Sequence, residues 1–386
     1  MNNRPLDSLK ILDFSTLLPG PYATLMLADM GAEVLRVESP TRPDLVKSLP
    51  PIVDGTSAAH HYLNRNKQSL ALDLKKAESV EMVKKLIMEY DIVVEQFRPG
   101  VMARLGLDYQ SLKAINPKLI YCSITGYGQT GPYKDRAGHD LNYLAIAGAS
   151  SYTGRKESGP LPLGVQLADV AGGSHHAVMG ILAAHIQRLH SGIGQHIDIS
   201  MTDAAFALNG MSGAGSLASG VDSEAEQDWL NGGSFYDYYE TKDGRFLSVA
   251  GLEPAFIKNL ADALDEPRLL NLVNMMDANL QQELKALLKK RFAQQNFDYW
   301  CELFATRDCC VEPMLTINEA ANHPQLQARD MVINYETHQQ STLQQASCPI
   351  KFSASSQVAP TMAPKTGEHN QQVLKNLQLT AESVQD

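Results

Sequence analysis

Cysteine is scarce and shows no pairing pattern. Cys122, Cys301, Cys309, Cys310 and Cys348 are an odd set of five among 386 residues, and none are spaced as C-x-x-C. That excludes a zinc ribbon or a dithiol redox motif and predicts reduced thiols. Basic charge is also short: 33 Lys and Arg against 43 Asp and Glu leave a net charge of −10. Nucleic acid is a poor partner for such a surface, although a small anion can still sit in a local basic pocket. No apolar run approaches the roughly 20 residues of a membrane span. The start, "MNNRPLDSLKILDFS", has no basic n-region followed by an apolar core. The expectation is a cytoplasmic protein with no membrane partner.

Several signatures of common chemistry are missing. There is no H-E-x-x-H, and the pairs His60-His61 and His175-His176 would point about 100° apart on a helix, so no metal site is expected. The G-x-S-x-G nucleophile elbow is absent. "GYGQTG" at 126–131 does match G-x-G-x-x-G after a strand pattern. The residues after it, "PYKDR", do not open a helix, and 145–153 lacks the acidic residue a dinucleotide ribose needs. A glycine loop lining a cleft is the better reading.

Hydrophobic residues at 44% and charged residues at 20% describe a globular chain whose length allows two domains. In the first 200 residues two periods alternate. "LKILDF", "AEVLRVE", "SLALDL", "DIVVEQF", "KLIYCSITGYG" and "QHIDISM" read as strands. "GPYATLMLADMG" and "KAESVEMVKKLIMEY" read as helices, as does 167–191, which Gly192 can end. That βαβ alternation predicts an α/β fold with a mostly parallel sheet. Residues 212–233 read as a linker or loop, and "SFYDYYETKDGRFLSVAG" as a hairpin turning at Lys242-Asp243-Gly244. Helices follow to about 328, and then a polar, proline-bearing tail.

Three acid–base residues stand in apolar or glycine-rich settings: His139 in "AGHDLNY", Asp169 in "QLADVAGG" and Glu253 in "VAGLEPAF". Each also has a structural reading. His139 or Asp140 can cap a helix, Asp169 can cap the one after it, and Glu253 can favour a first-turn dipole ahead of Pro254. Gly172 and Gly173 inside an apparent helix cost roughly 1 kcal/mol each against alanine. Their presence predicts that a ligand or a packed helix approaches the backbone there.

"LKILDFSTLLPGPYATLMLADMGAEVLRVESP", "NRNKQSLALDLKK", "DIVVEQFRPGVMARLGLDYQSLKAINPKLIYCSITGYGQTGPYKDRAGHD" and "ADVAGGSHHAVMGILAA" together resemble the family III CoA-transferases of the CaiB/BaiF type, over about residues 7–330. Within that family "GHD", "GLEP" and "LNGGSFYDYYETKDG" are most similar to the branch that racemises α-methylacyl-CoA. The resemblance implies a Rossmann-like large domain, a smaller α+β domain and an interlocked homodimer. The large domain would take residues 1–211, the linker 212–233, the small domain 234–328, and a return segment 329–386 would complete the large domain. It implies an acyl-CoA substrate, with coenzyme A as part of that substrate and no prosthetic group. In the racemase branch, residues in the positions of His139 and Asp169 exchange the α-proton, and the Glu253 position holds the imidazole. In the transferase branch, the Asp169 position attacks the acyl-CoA and forms a mixed anhydride. A non-catalytic acyl-CoA-binding protein is a third reading. CoA contacts are expected at Arg36, Leu72, Asp73, Leu74, Lys75 and Arg104, and the thioester at Gly138, Asp140 and Tyr143, with Arg65, Lys67 and Arg98 as lesser candidates.

Overall fold

Short, largely apolar runs form the six strands of one sheet in the computed structural model, which describes residues 4–274, 276–337 and 342–377. They are β1 (Lys10–Asp13), β2 (Glu33–Glu38), β3 (Gln68–Ala71), β4 (Ile92–Glu95), β5 (Ile120–Thr125) and β6 (His196–Ser200). All five pairings are parallel and the order is β3-β2-β1-β4-β5-β6. This is the doubly wound order, in which the chain reverses direction across the sheet between β1 and β4. Such sheets bury both faces, which is why β4 and β5 are buried at every residue rather than at alternate ones.

Helices α1 (Pro19–Asp29) and α2 (Ala77–Leu86) link successive strands. Pro19 and Pro21 open α1, where a missing N–H costs nothing. Helix α2 buries Ser79, Met82, Val83 and Leu86, the stripe that a 3.6-residue period places on one face. Met82, Val83 and Leu86 join Leu12, Leu35, Val93 and Tyr121 of the sheet in one apolar cluster. Further along come α3 (Asp140–Ile146), a π-helical segment Ala168–His175, α4 (His176–Ser191) and α5 (Met201–Ala207). Gly192 ends α4 with φ 70°, the left-handed cap expected from the sequence. The tail returns to edge strand β3. His369 N donates to Ser69 O at 3.0 Å, and Ala71 N donates to Asn370 Oδ1 at 2.9 Å.

The chain divides into two units. Met1–Ala147, Gly164–Leu208 and Pro324–Asp386 form the first, and Gly148–Leu163 with Asn209–His323 form the second. Residues 148–163 therefore leave the first unit, a departure that the sequence pattern does not signal. The second unit holds α6 (Ser212–Ser219), α7 (Pro254–Leu264), α8 (Ala278–Phe292), α9 (Phe297–Phe304) and an antiparallel sheet. That sheet is β7 (Asp237–Glu240), β8 (Phe246–Val249) and β9 (Val311–Pro313), with β7 and β8 forming the expected hairpin. Residues 212–233 begin with α6 and are hydrogen-bonded among themselves and to Tyr152. Asn231 Nδ2 donates to Tyr152 O at 3.2 Å and to Glu224 O at 2.9 Å, and Ser212 Oγ donates to Asp228 at 2.9 Å. Polar residues there bond their own loop, so a composition typical of a linker makes a fixed one. Among the described residues no helix is long and apolar enough to cross a membrane.

Charge lies inside the first unit. Lys67 Nζ donates to Thr24 Oγ1 at 2.7 Å and Pro21 O at 2.9 Å, and sits 3.4 Å from Asp13 Oδ2. Burial alone would raise the Asp13 carboxyl. Lys67, Arg36, Ser15 and Thr24 together more than offset that and hold it below the usual carboxylate range. Removing one member of such a pair strands the other in the core. Lys67→Met should therefore lower unfolding stability in urea by about 3–5 kcal/mol, and adding Asp13→Leu should recover most of that loss. A single-variant loss below about 1 kcal/mol would show that the pair is not a structural anchor.

Candidate active site

In a doubly wound sheet, ligands sit beyond the carboxyl ends of the strands, beside the point where strand order reverses. Two cavities of the first unit lie there. One, of about 520 Å³, is lined by residues following β1, β2, β3 and β4, among them Leu72, Asp73, Leu74 and Lys75. The other, of about 260 Å³, is lined by residues following β1, β4 and β5, together with His139, Tyr143 and Asp169. Leu17 and Phe97 belong to both linings. The walls are tied together: Leu17 N donates to both oxygens of Asp44, and Gly20 N donates to Gln96 Oε1 at 2.9 Å.

His139 occupies the N-cap position of α3, and its N–H is taken by Asn142 Oδ1 at 3.0 Å. The capping position does not take the residue away from the cavity: it is exposed and also lines the smaller cavity. The turn before it is clamped by Tyr143, whose hydroxyl donates to Gly138 O at 2.5 Å. Tyr127 meets the Tyr143 ring edge-on, with centroids 5.3 Å apart. A Cβ on Gly126 or Gly138 would run into the Tyr143 ring. These two positions need glycine because an aromatic ring covers their backbone.

Asp169 is the second residue of the π-helical segment, so it does not cap the helix that follows. Its N–H instead donates to Asp140 Oδ1 at 3.0 Å. Burial, and after it the like charge of Asp140, push its carboxyl up to about 7. The two glycines after it are explained by packing rather than by a ligand. A Cβ on Gly172 would lie 3.3 Å from Met201 O of α5, and one on Gly173 3.0 Å from Pro19 Cβ. Ser174 Oγ closes the same junction by donating to Pro19 O at 2.6 Å. A π-turn is an uncommon element that concentrates at functional sites, and here it carries the carboxylate.

The remaining sequence candidates fall in three places. Leu72, Asp73, Leu74 and Lys75 line the larger cavity, as does Arg36, but Arg36 is only 1% exposed. Its terminal nitrogens bond Glu38 Oε1 at 3.0 Å and Asp44 Oδ2 at 2.5 Å, so a phosphate there must compete with two carboxylates. Arg65 and Lys67 are likewise interior, Arg65 bonding Asp29 at 2.6 Å and Ala346 O at 2.8 Å. Arg104 is exposed. Gly138 and Tyr143 line the smaller cavity, Tyr143 with its hydroxyl already donated, and Asp140 lies behind Asp169. Glu253 belongs to the second unit, where it is exposed at the N-cap of α7 without a capping bond. Gln96, Tyr127, Lys134 and Arg136 also line the smaller cavity and were missed. Their position just after β4 and β5 is the signal that could have found them.

The characteristic pattern of CoA-transferase family III matches residues 6–370. The chain belongs to that family. It is 33% identical to the α-methylacyl-CoA racemase of Homo sapiens, across 98% of this chain and 95% of the human protein. It is also 33% identical to the succinate–glutarate CoA-transferase of Agrobacterium fabrum, across 98% and 97%. The crystal structure of a CaiB/BaiF family protein from Brucella suis superposes with a TM-score of 0.83 at 32% identity, covering 97% of this chain and all of that one. The family is enzymatic and its substrates are CoA thioesters. Relatives of both chemistries stand at the same identity.

The tyrosine clamp yields a direct test. Gly126→Ala should displace the Tyr143 ring, break its bond to Gly138 and lower turnover at least about tenfold through misplacement of His139. Circular dichroism should show the fold retained. Unchanged turnover would mean that the clamp does not position the histidine.

Proposed function

We propose that the chain is a racemase acting on the α-carbon of 2-methylacyl-CoA thioesters. Inversion requires one group to take the α-proton from one face while another returns a proton to the opposite face. Between the two groups one must be charged or neutral in complement to the other at working pH. The supporting observation is that His139 and Asp169 line one cavity and that Asp169 is pushed up to about 7. A carboxyl raised in this way can hold or release a proton near neutral pH, as a group that exchanges the α-proton must.

The CoA moiety is proposed to lie along the two cavities. Its nucleotide end would sit beside Leu72–Lys75 and Arg104, and its pantetheine would pass Leu17 and Phe97 toward His139. Arginine and lysine suit the phosphates by fork geometry and by point charge, and Arg98, Lys134 and Arg136 offer three cations at the smaller cavity. A homodimer is part of this reading. Met179, Ile186 and Leu189 leave an apolar stripe on α4 at 56%, 58% and 69% exposure, and a second copy would cover it.

The second reading is CoA transfer with Asp169 as the nucleophile, favoured by the equal identity to the Agrobacterium enzyme. The two readings separate in D₂O. Incubated with 2-methylacyl-CoAs and no acceptor acid, the protein should scramble the α-centre and take up deuterium there, as seen by NMR. His139→Ala and Asp169→Asn should each reduce exchange by at least about a hundredfold. Absence of exchange, with CoA moved to added carboxylic acids, would replace the racemase by a transferase.

A further inference from the structure

Asp140 is the one charged group whose proximity accounts for part of the behaviour of Asp169, and it has no role in the proton transfers above. It stands at the first position of α3, directly after His139, and its Oδ1 accepts the Asp169 N–H at 3.0 Å. The two proposed proton-handling residues, thirty positions apart in the chain, are therefore joined through one side chain.

We propose that Asp140 is a positioning residue that works through Asp169. Its carboxylate ties the first turn of the π-helical segment to the start of α3, and it supplies a fixed like charge beside the Asp169 carboxyl. The consequence follows from electrostatics. A second negative charge disfavours ionisation of the first, so Asp169 retains a proton to higher pH than burial alone would allow. An asparagine at 140 keeps an oxygen to accept the N–H but carries no charge, which separates the two functions.

Other charged and titratable groups line the same cavity or stand on the elements packed around the segment. His139 and Tyr143 flank Asp140 on α3, while Arg98, Lys134 and Arg136 line the same cavity. His175 lies on the π-helical segment itself with His176 directly after it, Tyr22 comes from α1, and Asp203 lies on α5, which packs against that segment.

The inference rests on the racemase reading only for its importance to catalysis; the tuning itself can be measured without turnover. Protein labelled with ¹³C at the aspartate carboxyl would be titrated by NMR, with the Asp169 signal assigned by its loss in Asp169→Asn. In Asp140→Asn the Asp169 midpoint should fall by about one pH unit or more, and in Asp140→Glu it should stay near the wild-type value. The acid limb of α-proton exchange should move to lower pH by the same amount in Asp140→Asn. An unchanged midpoint in Asp140→Asn, or an equal fall in Asp140→Glu, overturns the proposal. A shifted midpoint in a protein whose wild type exchanges no α-proton upholds the tuning and removes the racemase reading instead.

Discussion

A set of buried ion pairs holds the carboxyl ends of the strands in place, and the cavities depend on it. Asp13 ends β1, Arg36 and Glu38 lie in β2, and Lys67 immediately precedes β3. Asp44 reaches in from the following loop to bond both Arg36 and the backbone of Leu17. Burying these charges would cost several kcal/mol per ion were they unpaired, and pairing returns that only when geometry is tight. The set therefore contributes little net stability and much specificity. A loop at 15–20 that drifted would break hydrogen bonds to Asp13, Asp44 and Gln96 together. The loop at Leu17 borders both cavities, so a cost borne in the core becomes fixed geometry at the site.

The carboxylate of Asp169 is held by a second constraint, the close approach of backbones. Gly172 and Gly173 let α5 and Pro19 press against the π-helical segment. Larger residues would push that segment away and carry Asp169 with it. Tyr143 does the equivalent work for His139 by covering Gly126 and Gly138. The smaller cavity is thus shaped from both sides by glycines under a packed neighbour, and a side-chain bond from Asp140 joins the two sides.

Much of this was legible in the sequence, and what was not has a physical reason. The six strands and their crossover helices follow from two hydrophobic periods, and His139 and Asp169 could be picked out because charge interrupts small or apolar residues there. Arg36, Arg65 and Lys67 looked like surface cations able to meet phosphate. Their burial depends on carboxylates brought from positions 13, 29, 38 and 44, a pairing that no local pattern carries. The excursion of 148–163 into the second unit is silent for the same reason. In residues 212–233, asparagine, aspartate and serine side chains bond the segment to itself and to Tyr152, partners that composition alone does not name.

Family membership leaves two chemistries for one carboxylate, because a fold and its binding crevice do not determine the reaction run in it. The raised proton affinity of Asp169 is by itself a weak discriminator. A nucleophile with a midpoint near neutral pH is still about half ionised there, a loss of only about twofold, and its greater basicity partly compensates. The imidazole weighs more. Attack on a thioester by a carboxylate needs no proton taken from a carbon, so a transferase has no chemical use for a second titrating group beside it. Two-base inversion of an α-centre does need one. His139 lines the same cavity as Asp169, on a turn clamped by Tyr143 and two glycines. A group clamped in this way, lining the same cavity as Asp169, is what the proposed two-base chemistry asks for.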